Sequence, residues 1–172
     1  MNLSFKVIRP VLSLLIFLAV LSCLPADTSF ESPLSGTAGK DWFIINFKDN
    51  GDGTTPLDYA GGRQTYPTHT GIDIMLYDYL TMDAGIDVLA SAPGPGIAYV
   101  DGLADRALES QPNKIFVRQA DGSVSYYAHL KMNSLMVYTG MVVVAGQKIA
   151  EAGGDGTNEV SHLHFGVLNC WA

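Results

Sequence analysis

Residues 114–130 read KIFVRQADGSVSYYAHL, and this stretch decides the fold. Two runs rich in β-branched and aromatic residues, 114–118 and 124–130, flank a short polar segment that contains Asp121-Gly122. An Asp-Gly pair between two such runs is a strong signal for a β-hairpin, because both residues tolerate the backbone angles of a tight turn. The stretch therefore predicts two antiparallel strands joined at Asp121-Gly122.

The rest of the chain after residue 40 shows the same pattern of short β segments separated by turn residues. Strands are expected at 41–47, 87–92, 96–100, 141–144, 149–152 and 162–167, with a Pro-Gly-Pro turn between the second and third of these. A short helical pattern is seen at Ala104–Glu109. Many short strands at regular spacing, in a chain with 18 glycines, predict a compact all-β fold.

The first 26 residues have the layout of an export signal. Lys6 and Arg9 precede an apolar run, 11–24, that is too short to span a bilayer comfortably. The sequence before Cys23 resembles a lipobox, which would make Cys23 the lipidated first residue, and cleavage after Ala26 is the alternative. A retained membrane anchor is a third interpretation. We therefore expect an exported bacterial protein, either a periplasmic or outer-membrane lipoprotein or a secreted one.

The remaining chain divides into a linker and one domain. Residues 27–40 are rich in Ser, Thr, Gly and Pro and predict a flexible tether. Residues 41–172 have the length of a single domain with a real core. We expect this domain to be a monomer, with no membrane contact except a lipid anchor at Cys23.

Charge and cysteine content exclude two classes of protein. The formal net charge is −7 and becomes −9 once Lys6 and Arg9 are removed, which argues against nucleic acid as a partner. The chain has two cysteines, and lipidation or removal of Cys23 would leave Cys170 without a partner in the chain. A disulfide framework is therefore not expected.

His69 and Asp73 are four residues apart, and both side chains are of types that bind metal ions. Pro67, Gly71 and the β-branched residues around them disfavour a helix. In a straight strand these residues would lie roughly 13 Å apart, too far to share an ion bound at about 2 Å. If both bind one metal, the chain must bend between them, and Gly71 permits that bend.

His162 and His164 have the spacing of residues on one face of a strand, about 6.5–7 Å apart. Leu163 and Phe165 would then point into the core. One imidazole could bind a metal while the other reaches an attacking water molecule.

His129 ends the second strand of the predicted hairpin. Strict alternation along 124–130 places it on the same face as Tyr127, which either orients His129 or packs as an ordinary core tyrosine. A functional role for His129 depends on its coming close to the other histidines.

Together these segments resemble the lysostaphin-like metallopeptidases, also called the LytM or M23 peptidase family. The family pattern is His-x-x-x-Asp, Tyr-x-His-Leu and His-Leu-His-Phe, in that order. This chain has His69-Thr-Gly-Ile-Asp73, Tyr127-Ala-His129-Leu130 and His162-Leu-His164-Phe165. The connecting segments 58–62 and 144–149 are also similar, and the resemblance extends from about residue 41 to residue 168.

The resemblance implies an antiparallel β-sheet core with an open active-site groove. It implies that His69, Asp73 and His164 bind one Zn2+ per chain, and that His129 and His162 line the groove as catalytic residues. Zinc with three protein ligands keeps a position for water and lowers the pKa of that water toward about 7. His162 is then the candidate general base, and His129 would stabilise the oxyanion or pass a proton to the leaving amine. The implied substrate is peptidoglycan, cut by an endopeptidase at cross-links or stem peptides.

The chain departs from the family pattern at three places. Residues 153–161 read GGDGTNEVS where a Gly-x-Ser/Thr-Gly-x-Ser segment is frequent, which predicts a different groove wall. Gly166 follows the last motif where Glu is common, and the sequence ends soon after His164, so that a C-terminal truncation stays open.

Two other functions remain open on these residues. A non-catalytic LytM-type wall-binding or regulatory module has the same fold, but such modules generally lack some zinc ligands. A peptidase of glycine-rich extracellular proteins would use the same ligand set as an enzyme that acts on the wall. Because all three ligands and both groove histidines are present here, the sequence favours the enzyme.

Overall fold

The computed structural model of the chain describes residues 27–107, 111–154 and 161–169, which contain nine strands and one short helix. The strands are β1 (Trp42–Asn46), β2 (Ile72–Leu76), β3 (Asp87–Leu89), β4 (Gly94–Val100), β5 (Lys114–Arg118), β6 (Val124–Ala128), β7 (Val142–Val143), β8 (Lys148–Glu151) and β9 (His162–Leu168), and the helix is α1 (Tyr79–Ala84). The predicted all-β fold is confirmed.

The expected export signal (1–26) and Cys170 lie outside the described residues. Within the described ranges, α1 is too short to cross a bilayer, and no membrane-spanning helix is found.

Seven of the strands form one antiparallel sheet. Their order is β1-β2-β9-β6-β5-β4-β7, and β3 pairs with β8 in a separate two-stranded sheet. The predicted hairpin is confirmed as β5 and β6, with Lys114 opposite Ala128 and Arg118 opposite Val124. Asp121 stabilises the turn, because its Oδ1 accepts the backbone N–H of Ser123 at 2.9 Å.

The register of the large sheet separates a core face from an open face. Residues directly opposite each other on neighbouring strands point to the same face. His164 of β9 is opposite Asp73 of β2 on one side and Ala128 of β6 on the other. The period of two in a strand puts His162 on that face too, and it puts Leu163 on the opposite face.

The core lies between the large sheet and the β3–β8 pair. Leu163 is fully buried, and Phe165 packs against the core, as the alternation in 162–167 predicts. The cluster draws on both sheets; its fully buried members include Ile74, Leu76, Val88, Ile115, Val117, Tyr127, Leu130, Ile149 and Leu163. Burial of these side chains is the main force that holds the open face in position.

Pro93-Gly94-Pro95 does not form the predicted turn. Gly94 and Pro95 are the first residues of β4 and are opposite Val143 and Val142 of β7. The two strands expected on either side of this segment belong to different sheets, because β3 pairs with β8 while β4 pairs with β5. A proline at the start of a strand does not remove an interior hydrogen bond, so the strand can begin there.

The helix of this fold is not where the sequence pattern indicated one. Over residues 104–107 the chain forms a turn with Arg106 at a φ of 61°, and 108–110 lie outside the described residues. The observed helix α1 has only six residues, and such a short element carries no clear helical period. Its start is set locally, because Asp78 Oδ1 accepts the Thr81 N–H at 2.7 Å.

Residues 27–40 differ from the flexible tether that the sequence predicted. Leu34 is 2% exposed and forms a bridge with Val88 of β3. The Leu89 N–H donates to the Pro33 carbonyl at 2.8 Å. A buried leucine and paired backbone groups fix the segment along the small sheet.

Candidate metal centre

Three candidate ligand atoms from two separate parts of the chain converge on the open face. Asp73 Oδ1 lies 3.0 Å from His69 Nε2 and 2.9 Å from His164 Nδ1. The two imidazole nitrogens are 3.1 Å apart. All three residues are buried, with 3%, 3% and 8% of their surfaces exposed for His69, Asp73 and His164, respectively.

His69 comes from the loop before β2, and its position depends on close packing at Gly71. The chain bends at Gly71 just before β2 begins, as predicted, but the bend requires the absence of a side chain. A Cβ at residue 71 would lie 2.2 Å from the Phe165 carbonyl oxygen and 2.9 Å from His164 Nε2. The left-handed backbone that helps to turn the loop is at Thr68, with a φ of 65°.

The tautomer of His69 is set by the backbone. Its Nδ1 lies 2.7 Å from the Phe47 carbonyl oxygen, which can only accept a hydrogen bond. In the neutral ring Nδ1 therefore carries the proton, and Nε2 directs a lone pair toward Asp73 Oδ1. Two electron-rich atoms at 3.0 Å need a cation or a proton between them.

The electrostatics of the site show the same demand for positive charge. Burial opposes ionisation of Asp73, but hydrogen bonds from His164 and His69 outweigh it and hold the pKa of the carboxyl far below its usual range. Burial also opposes protonation of His69, yet its hydrogen bonds with Asp73 and the Phe47 carbonyl raise its pKa above the ordinary value. The site thus keeps a carboxylate charged in a buried place and attracts a cation to it.

His162 and His129 lie beside the three ligand atoms. His162 Nε2 is 3.9 Å from Asp73 Oδ1, and His162 is 4% exposed. The rings of His129 and His162 have centroids 4.5 Å apart, and the ring of His129 is 6.5 Å from that of His164. The structure therefore brings all five predicted site residues into one cluster.

The strict alternation predicted for 124–130 fails at its end. His129 has a left-handed φ of 60°, which turns its ring toward His162 instead of the face occupied by Tyr127. Tyr127 is fully buried, and its hydroxyl accepts the Ser91 N–H at 2.8 Å. Of the two roles considered for Tyr127, the structure therefore supports packing in the core. The turn at the end of β6, and not Tyr127, positions His129.

Two aromatic residues that the sequence analysis did not single out lie against the cluster, and a third, Phe116, packs on one of them. The ring of Tyr66 stacks on His69 with centroids 4.3 Å apart. The ring of Tyr126 lies 5.6 Å from that of His164 and stacks on Phe116 at 4.7 Å. Tyr126 is opposite Gly166, the glycine that departs from the family pattern, and a Cβ at residue 166 would lie 3.2 Å from the Thr70 carbonyl oxygen. Gly166 is two residues after His164 and so lies on the same face of β9. Tyr126 is opposite Gly166, and Phe116 is opposite Tyr126, so both aromatic residues could have been assigned to this face once the strand register was known.

These residues fit a zinc ion. Zinc in proteins takes imidazole nitrogens and carboxylate oxygens at about 2.0–2.2 Å in a tetrahedral arrangement, which places two ligand atoms about 3.3 Å apart. The observed separations of 2.9–3.1 Å are slightly shorter, so a bound ion would require the three atoms to move apart by only a few tenths of an ångström. Two imidazoles and one carboxylate also form the ligand set of catalytic zinc sites that keep one position open.

Comparison with known proteins gives the same family. The sequence model of peptidase family M23 matches residues 67–170. The murein hydrolase activator NlpD of Escherichia coli (strain K12) is 37% identical over 86 residues, and NlpD of Salmonella dublin is 36% identical. Each alignment covers 48% of this chain and 22% of NlpD, so the chain spans less than a quarter of these relatives.

Solved structures share the fold over most of the chain. A zinc containing peptidase from Vibrio cholerae superimposes with a TM-score of 0.55 and 25% identity, over 81% of this chain and 36% of that one. A mutant catalytic domain of the prophage-encoded M23 protein EnpA from Enterococcus faecalis gives a TM-score of 0.52 and 19% identity, over 75% of this chain and 82% of that one. The family match covers more than half of the chain and includes all five residues of the cluster, so this chain belongs to peptidase family M23.

Proposed function

We propose that this protein is a zinc-dependent endopeptidase that hydrolyses peptide bonds in peptidoglycan cross-links or stem peptides. The observation that carries the proposal is the convergence of His69 Nε2, Asp73 Oδ1 and His164 Nδ1 within 3.1 Å, with two further histidines beside them. The three ligand atoms would hold one Zn2+ per chain. When bound, the metal would polarise the scissile carbonyl and supply a nucleophilic water at neutral pH.

His162 is the proposed general base. Its Nε2 lies 3.9 Å from the ligand oxygen of Asp73, so it reaches the space beside the ligand cluster without belonging to it. The ring is buried, which limits competition from bulk water for the proton that Nε2 would accept. His162 would later return that proton to the leaving amine or pass it on.

His129 is proposed to act on the substrate oxygen or on the leaving group. Its ring lies 4.5 Å from His162 and 6.5 Å from His164, on the same side of the ligand cluster. The Gly153 N–H donates to the His129 carbonyl at 2.8 Å, which fixes the backbone that carries the ring. A donor held in this way would stabilise a developing oxyanion or protonate the amine, and the position of His129 supports either role.

The substrate class is supported by the related proteins and by the open face. The Vibrio cholerae relative is described as a zinc containing peptidase, and the Escherichia coli relative as a murein hydrolase activator. The present chain is acidic, with a formal net charge of −7, so attraction to an anionic wall polymer would not come from its overall charge. Affinity would come from contacts in the groove beside the metal.

A non-catalytic activator of other murein hydrolases is the second candidate, because the NlpD relatives carry that name. Such a role needs the fold and a binding surface, but it does not need a metal site. Here the three ligand residues and both groove histidines are present and brought together. We therefore favour the enzyme.

The test combines metal analysis with product analysis. Purified protein would be assayed for zinc and incubated with purified peptidoglycan, with and without a zinc chelator, and new peptide ends would be identified by mass spectrometry. We expect one zinc per chain and chelator-sensitive release of new amino termini. The Asp73→Ala protein is the metal-free control, and Asp83→Ala is the matched control, since Asp83 is exposed and pairs with Arg106 at 2.8 Å.

Each other outcome identifies a different function. Zinc-loaded, folded protein that releases no peptide ends from peptidoglycan would shift the substrate to another protein, such as a glycine-rich extracellular one. Protein that holds no zinc but increases product release by an added murein hydrolase would establish the activator instead.

We also propose that the protein is exported, either lipidated at Cys23 or cleaved after Ala26. The charged and apolar pattern of residues 1–26 supports this proposal. The mass of the amino-terminal peptide of the mature protein separates the two forms. An unprocessed Met1 in the mature protein would contradict both.

A further inference from the structure

Asn46, the last residue of β1, and Phe47, which follows it, each contact one of the proposed zinc ligands. The pairing of β1 with β2 is regular from Trp42 to Ile44 and then shifts, so that Asn46 is opposite Asp73. Such an irregularity redirects the side chains that follow it. At this position it brings Asn46 alongside the carboxylate of Asp73.

Asn46 binds the oxygen of Asp73 that faces away from the two histidines. Asn46 Nδ2 donates to Asp73 Oδ2 at 3.1 Å. The other oxygen, Oδ1, is the one that lies 3.0 Å from His69 Nε2 and 2.9 Å from His164 Nδ1. The amide therefore limits rotation of the carboxylate and leaves Oδ1 directed at the ligand cluster.

The next residue, Phe47, holds the second ligand. Its carbonyl oxygen accepts the His69 Nδ1–H at 2.7 Å and the Thr65 hydroxyl at 2.7 Å. Its N–H donates to the Gln64 carbonyl at 2.8 Å, so both sides of the Phe47 backbone are fixed. One dipeptide thus orients an oxygen ligand through a side chain and a nitrogen ligand through its backbone.

We propose that Asn46-Phe47 preorganises the metal centre and that Asn46 is a positioning residue for zinc. Groups that hold the far side of a metal ligand fix its orientation and raise metal affinity, and their loss typically costs about 10- to 100-fold in affinity or activity. Without the Nδ2–H donor, the Asp73 carboxylate can rotate and present either or both oxygens. The proposal rests on the zinc site of the proposed function, but it does not require that the protein cleave peptidoglycan.

The test measures zinc affinity and coordination in full-length variants. Asn46→Leu keeps approximate size without a donor, Asn46→Gln keeps the amide donor, and Asn50→Leu is the matched control. Asn50 is exposed, its Nδ2 donates to the Lys48 carbonyl at 3.4 Å, and its Oδ1 accepts from Lys48 Nζ at 3.4 Å, so its side chain makes no hydrogen bond to the candidate zinc ligands. Zinc dissociation constants would be obtained by competition with a chromophoric chelator, and the visible spectrum of the cobalt-substituted proteins would report coordination geometry.

We expect Asn46→Leu to weaken zinc binding about 10- to 100-fold and to change the cobalt spectrum. Asn46→Gln should recover most of the affinity, and Asn50→Leu should match the unaltered protein. Equal zinc affinity and an unchanged cobalt spectrum in Asn46→Leu would overturn the proposal. If Asn46→Leu does not fold, as judged by circular dichroism, Asn46→Ala is measured in its place with the same expected loss. A protein that binds zinc tightly but cleaves no peptidoglycan would contradict the proposed function and leave this inference open to the same measurement.

Discussion

Asp73 Oδ1 and His164 Nδ1 lie 2.9 Å apart because the two residues are directly opposite each other on β2 and β9. Neighbouring strands place the Cβ atoms of facing residues about 4.5–5.5 Å apart. From these positions the Asp73 oxygen and the His164 nitrogen reach a separation close to that of two atoms bound to one metal ion. A one-residue slip in this register would move His164 to the core face. The position of this candidate ligand pair is therefore set by strand pairing.

Asp73→Ala and His164→Ala should both abolish zinc binding. Each change removes one of three ligand atoms, and two ligands do not hold zinc against solvent at micromolar levels. Zinc content after gel filtration is the measurement. Intact zinc in either variant would exclude that residue from the ligand set.

His162→Ala should keep zinc but lose about 10²–10⁴-fold in kcat, because the general base is missing while the ligand atoms are unchanged. Zinc content and turnover of a synthetic peptide are measured together. Normal turnover in this variant would assign the base to His129 or to solvent.

Gly71→Ala should destabilise the protein by at least about 1–3 kcal/mol, because the added Cβ would lie 2.2 Å from the Phe165 carbonyl oxygen. Gly166→Ala is the matched control, since its nearest contact is the Thr70 carbonyl oxygen at 3.2 Å. Urea unfolding compares the two variants. A Gly71→Ala protein as stable as the unaltered protein would show that the loop carrying His69 moves away at little cost.

Tyr126→Ala should raise KM with little change in zinc content. Tyr126 and Phe116 form a stacked pair beside His164 on the open face, where a substrate peptide would lie. Tyr99→Ala is the control, because Tyr99 is opposite Ile115 and so belongs to the other face. A loss confined to kcat would contradict a role in binding.

Glu151→Gln should lower stability at neutral pH but not in acid. Hydrogen bonds from Lys148 and Lys131 hold the pKa of Glu151 below its usual range. A carboxyl with a lowered folded-state pKa stabilises the fold above its unfolded pKa of about 4.3, and this contribution is lost as the pH falls through the folded pKa. We expect a difference of about 0.5–1 kcal/mol at pH 7, kept small because the pair is partly exposed, that declines as the pH falls below the unfolded pKa and is lost below the folded pKa.

Urea unfolding of Glu151→Gln at several pH values tests this linkage. Asp83→Asn is the control, because Asp83 is about half exposed and its pair with Arg106 is screened by solvent. A pH-independent difference for Glu151→Gln would assign its effect to packing instead of charge.

The sequence by itself determined the all-β class, the β5–β6 hairpin and the five candidate site residues. Period-two alternation and Asp121-Gly122 are local signals. The candidate site residues can be recognised from residue type and motif order alone; they are His69, Asp73, His129, His162 and His164. The proposed zinc and catalytic roles of these five residues remain predictions that the variants above would test.

Tertiary structure decided which of these residues meet and what holds them. The 2.9 Å contact between Asp73 and His164 depends on strand register. The orientation of His129 depends on its own left-handed backbone conformation, just after the end of β6. Asn46, Tyr126 and the docked Leu34 carry no local motif, because their roles come from partners that are distant in sequence. Local chemistry can be read from neighbouring residues, whereas contacts across a sheet exist only after the hydrophobic core has fixed the register.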